Sequence, residues 1–121
     1  MSTEEILSPA PLVGEEEAQR TADSDRQIEK FKTRRAETRR RITITCAEIA
    51  KILKRVGSRQ SLNILVTQSQ DLLLKSEKLT NQICAFKDKV DTAKEFQSQL
   101  EYQRAVQDAK EDVLNYSEEL F

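Results

Sequence analysis

Both prolines of this chain, Pro9 and Pro11, and one of its two glycines, Gly14, fall before residue 15. After them only Gly57 interrupts more than a hundred residues. Proline and glycine are the residues that most readily end a helix. A stretch this poor in both, and rich in Ala, Glu, Lys, Leu, Arg and Gln, favours long helices over any sheet. Charged residues make up 34% of the chain, so such helices need a polar face as well as an apolar one.

The apolar pattern agrees. Ile28, Phe31, Ile42, Ile49, Ile52 and Val56 fall on the two inward positions of a seven-residue repeat. Ser24 with Gln27 fits a capping box. Gly57 stands where a left-handed C-cap is wanted, with Lys54 and Arg55 in the preceding turn. A helix is expected over 24–56. After a short turn, Leu62, Leu65, Leu72, Leu79, Ile83, Phe86 and Val90 make a second stripe, expected as a helix over 59–92. So short a turn forces an antiparallel hairpin.

The stripe then jumps. Tyr102, Val106, Ala109, Val113, Tyr116 and Leu120 are regularly spaced, but their face lies about half a turn from Leu100. A break or sharp bend between Lys89 and Ser98 yields a third helix over 96–121 and a small bundle. An unbroken helix of about 60 residues would instead run roughly 90 Å and overshoot the first. The expected fold class is all-α: an antiparallel helical hairpin or coiled coil with a long, bent or broken second arm, or a three-helix bundle.

Charge is unevenly spread. Residues 1–25 carry seven acids and one Arg, residues 26–59 twelve bases and three acids, and residues 60–121 seven bases and eleven acids. The first segment, acidic and aperiodic, is expected as a disordered tail over 1–23. Its apolar patches Ile6-Leu7 and Leu12-Val13 fit a docking peptide or an inert tail, and the lack of a recognised flanking mode favours the latter.

The chain has no His, and so lacks the commonest general base and metal ligand. Two glycines leave no phosphate-cradling loop. Cys46 and Cys84 lack metal-site or disulfide-framework spacing and read as reduced, partly buried thiols. No enzyme, cofactor, metal site or small-molecule substrate is expected. No apolar run approaches a membrane span, and residues 1–25 lack a signal peptide's core. The expectation is an intracellular protein, cytoplasmic or nuclear.

Three features bear on function. The basic block Lys30, Lys32, Arg34, Arg35, Arg39, Arg40 and Arg41 fits a sequence-independent phosphate-binding surface for nucleic acid. It fits better a solvated face paired with acidic helices, the commoner case, with an anionic membrane or nuclear import as further alternatives. Second, Ile64 and Leu72-Leu73-Leu74 exceed what one seam buries, so residues 62–74 need neighbours on two sides. Those neighbours are residues 96–121 of the same chain or a partner. Ile64, Leu72, Leu73, Leu74, Tyr102, Val106, Val113, Tyr116 and Leu120 are therefore candidates for an association surface. Third, Arg35, Thr38, Thr45, Ser69 and Ser76 are polar residues in the seam. Such residues fix register, or else the hydroxyls are tolerated and Arg35 snorkels outward.

The run Lys32-Thr33-Arg34-Arg35-Ala36 through Ile42-Thr43, the Leu-periodic stretch Leu62–Phe86, and Glu95-Phe96 through Leu100-Glu101-Tyr102-Gln103 and Val113-Leu114 together resemble a known pattern. It is that of the helical N-terminal region of gag-type polyproteins from Pao/BEL-like retrotransposons, over residues 30–121. The resemblance implies an assembly module near nucleic acid, without catalytic residues. The zinc knuckle such polyproteins carry is not in this sequence. The expected function is a non-catalytic helical assembly module that binds itself or another helical protein. The rivals are a charge-driven nucleic-acid-binding module and a subunit of a vesicle-tethering or SNARE-like coiled-coil complex.

Overall fold

The computed structural model describes the backbone over residues 9–120 and side chains over residues 22–116. Among the described residues it is all-α, with three helices: α1 (Pro9–Lys54), α2 (Arg59–Cys84) and α3 (Thr92–Leu120). The chain divides into two compact units, residues 1–30 and 31–121.

In the first unit the backbone is helical from Pro9 rather than from residue 24, which corrects the expected unstructured stretch over residues 9–23. Pro9 and Pro11 sit in the first turn, where backbone N–H groups have no intrahelical acceptor anyway. Glu15-Glu16-Glu17-Ala18 then supply good helix formers. Ser24, expected as a cap, lies inside the helix. Arg26 pairs with Asp23 at 3.5 Å, and Ile28 is buried. Residues 1–8, with the Ile6-Leu7 patch, lie outside the described residues, as do the side chains of Leu12 and Val13.

The second unit is an up–down–up bundle. α1 and α2 run antiparallel, placing Arg35 against Thr80 and Arg39 against Ser76. α3 returns parallel to α1, setting Arg39 beside Gln99 and Cys46 beside Ala105. Ile49, Leu62, Ala109 and Val113 form the apolar core near the α1–α2 turn, with Cys46, Ile52, Leu53, Leu65, Val66 and Tyr116 packed around it. Fully burying a large aliphatic side chain stabilises by about 1.5–3 kcal/mol, so these few residues carry much of the bundle's cohesion.

α1 ends at Lys54, not residue 56, in a Schellman arrangement. Gly57 N–H donates to Ile52 O at 3.0 Å and Val56 N–H to Leu53 O at 3.4 Å. The left-handed residue is Val56, at φ 54°, and not Gly57 as expected. Val56 consequently points to solvent, 68% exposed, instead of joining the inward stripe. Gly57 is needed for closeness: a Cβ there would run into the Ile52 Cγ2 methyl. Ser58 caps α2 by accepting from Ser61 N–H at 3.3 Å.

The break expected between Lys89 and Ser98 is present but earlier: α2 ends at Cys84 and α3 begins at Thr92. Phe86 and Val90, assigned to the second stripe, lie in the connection. Phe86 turns onto Phe31, ring centroids 6.4 Å apart. Asp91 starts α3, its Oδ1 accepting from Lys94 N–H at 3.2 Å and its carbonyl from Glu95 N–H at 3.0 Å. Two apolar faces half a turn out of phase cannot both be buried by one straight helix, and the break restores the phase. It leaves Phe96 and Leu100 exposed.

Candidate helix-docking groove and buried polar layer

The most buried heptad of α2 keeps Leu62 and Ile83 of the expected stripe but places Ser69 and Ser76 between them, in place of Leu65, Leu72 and Leu79. Ser76 is small because α1 and α3 send large polar groups toward it. Arg39, only 8% exposed, donates from Nε to Ser76 Oγ at 3.3 Å, from Nη1 to Ser98 Oγ at 2.9 Å and from Nη2 to Gln99 Oε1 at 2.9 Å. Its guanidinium carbon lies 4.7 Å from the centre of the Tyr102 ring. Arg35, also 8% exposed, pairs with Glu95 and donates to Thr80 Oγ1 at 3.3 Å. Ser76 and Thr80 pass the chain on to Gln99 Oε1, at 2.7 and 3.2 Å. One amide oxygen thus accepts three hydrogen bonds, while Gln99 Nε2 is buried without a partner.

Burial, and then the like charge of Arg35, pull the Arg39 guanidinium below its ordinary pKa, with Tyr102, Glu95 and Glu101 opposing. Arg35 does not snorkel outward; Glu95 at the start of α3 draws it in. Thr38 and Thr45 are half-buried and bond back to the carbonyls of Arg34 and Arg41.

The basic block is therefore not one surface. Arg35 and Arg39 are inside the bundle. Lys32 and Arg40 line a cleft of about 330 Å³ on the Tyr102 side. Arg34 and Arg41 line a different groove, on the α2 side. Lys30 is exposed in the first unit. Glu37 holds Arg40 at 2.8 Å and approaches Arg41 at 3.8 Å. The Arg40 hydrogen bond and charge, then Arg41, pull the Glu37 carboxyl below its ordinary value.

The association candidates also separate. Val106 and Val113 are core, and Tyr102 and Tyr116 are half-buried. Tyr116 donates to Gly57 O at 2.8 Å, tying α3 to the α1–α2 turn. The side chain of Leu120 lies outside the described residues. Tyr102, Val106, Val113 and Tyr116 are thus turned toward their own chain. Leu72 and Leu73 are half-buried, Leu74 is exposed, and Ile64 is 52% exposed.

Two linked grooves follow the α1–α2 seam, and a third adjoins them on α2 alone. The largest, about 650 Å³, has Leu72 and Leu79 in its lining, with Arg34, Arg41, Lys75, Lys78 and Glu37 bordering them. Arg41 and Leu72 continue into a groove of about 360 Å³ with Ile44 and Asp71. Gln68 links that to a third, of about 590 Å³, containing Ile64. Ile44 is 56% exposed. Composition missed Ile44, because it stands off the inward repeat of α1.

Both cysteines are free. Burial raises both thiol pKa values; at Cys84 the Glu95 charge adds to this and Arg35 opposes it. A protonated thiol is a poor nucleophile and metal ligand. Among the described residues no cluster of three His, Cys, Asp or Glu side chains stands ready for a metal ion, and no helix is long and apolar enough to cross a membrane. No known protein family, curated protein or solved structure matches the chain.

Proposed function

We propose that this chain is a non-catalytic helical association module whose α1–α2 groove receives an amphipathic helix. The observation that carries the reading is the apolar lining of Ile44, Leu72 and Leu79 along the α1–α2 seam, with exposed Ile64 beside it on α2. Its apolar lining with a charged border is the geometry of helix-in-groove recognition. Nucleic-acid binding has less support, since two of its seven bases serve the interior and the others face different ways.

The test is titration of the full chain with two labelled amphipathic peptides that share a leucine stripe, one flanked by Glu and one by Lys. The Glu-flanked peptide binds, and Ile44→Lys with Ile64→Lys abolishes binding without lowering the melting temperature. Failure of both peptides to bind removes the reading.

A further inference from the structure

We infer that what the α1–α2 groove receives is the acidic N-terminal segment, residues 1–25, of a second copy of this chain. The inference rests on the docking reading and names its partner.

Charge complementarity carries it. The largest groove sets four cations, Arg34, Arg41, Lys75 and Lys78, against one carboxylate, Glu37. Arg34, Lys75 and Lys78 are exposed. A partner for this surface needs apolar side chains to meet Leu72 and Leu79 and carboxylates on either side. Residues 1–25 hold seven acids against one Arg, with Leu7, Leu12 and Val13 among them. No other segment of the sequence carries so large an acidic excess with so few bases.

Each molecule owns both halves of the contact, the groove and the acidic segment. Two copies related by a twofold axis make the contact twice, which closes the assembly as a dimer rather than an open filament. Exposed ion pairs are screened by salt, so the dimer weakens as ionic strength rises.

Sedimentation equilibrium of the full chain tests this. The wild type forms a salt-sensitive dimer. Lys75→Glu with Lys78→Glu weakens it by about tenfold or more, or about 1.4 kcal/mol. Reversing Glu15, Glu16 and Glu17 to Lys does the same. Mixing the two variants restores a dimer, because each then offers what the other lacks. Carbodiimide treatment of mixed light and heavy chains joins Glu15, Glu16 or Glu17 of one molecule to Lys75 or Lys78 of another. The neutral pair Lys75→Gln and Lys78→Gln covers loss of folding in the reversed variant.

Two results overturn the inference. A chain that stays monomeric at high micromolar concentration while still binding the Glu-flanked peptide has another protein as its partner. A dimer indifferent to both charge reversals uses some other segment. Loss of peptide binding itself removes the docking reading instead.

Discussion

Gln99 is the residue on which the three helices agree. Its oxygen accepts from α1 through Arg39 and from α2 through Ser76 and Thr80. Removing that acceptor with Gln99→Leu leaves Arg39 Nη2 and the Ser76 and Thr80 hydroxyl protons without their acceptor, and lowers stability by about 2–4 kcal/mol in urea denaturation. Gln99→Glu does the reverse. The layer holds two guanidinium groups against one carboxylate, Glu95, so a second carboxylate relieves repulsion and removes the unpartnered amide nitrogen. Beside Arg39 the new carboxyl is held below its unfolded pKa. Its gain is therefore present at neutral pH and disappears as pH falls through the folded value. A lower denaturation midpoint for Gln99→Glu at pH 7 contradicts this account.

The cysteines work in the opposite direction. Their folded pKa values are raised, so the folded chain holds the thiol protons more tightly than the unfolded one. That contribution is complete below the ordinary thiol value and is lost as pH rises through the folded values. Stability of the wild type falls once pH rises above the ordinary thiol value, and Cys46→Ala with Cys84→Ala flattens that fall. At this scale the sequence marked the polar seam residues but not their use. Arg35 and Arg39 look like their basic neighbours; their burial follows from helix phase and from Glu95 and Gln99, far away in the chain.

Among the elements, the α1–α2 turn is the most sharply defined. Val56 adopts a left-handed conformation that costs a β-branched residue roughly 1–2 kcal/mol. Val56→Gly raises the melting temperature, since glycine pays no such cost and the exposed valine contributes little packing. Gly57→Ala lowers it, because the new methyl meets Ile52. The opposite order of effects restores Gly57 as the left-handed residue. The turn was legible because glycine and the change of stripe coincide there. Which residue turns left was not, because adjacent positions differ only in hydrogen-bond register. The α2–α3 break was readable from the half-turn phase jump. Its early position was not, because Phe86 keeps the helical spacing while leaving the helix to meet Phe31.

At the scale of the molecule, periodicity posed the right alternative: the leucine-rich second helix meets either its own third helix or a partner. It meets its third helix on one side, through Val106, Ala109 and Val113. On the other side the α1–α2 seam keeps an apolar lining. Sequence spacing cannot separate these two outcomes, since a stripe shows how much surface needs cover and not which element covers it. Phe96, Leu100 and Leu114 on α3 are also exposed, but they do not line the grooves described. The docking account therefore predicts where a partner helix lands. Amide chemical shifts of the isotope-labelled chain, followed as the Glu-flanked peptide is added, decide it most directly. Changes concentrated over residues 33–45 and 63–82 are the result the account predicts; no saturable change, or changes centred on Phe96, Leu100 and Leu114, would contradict it.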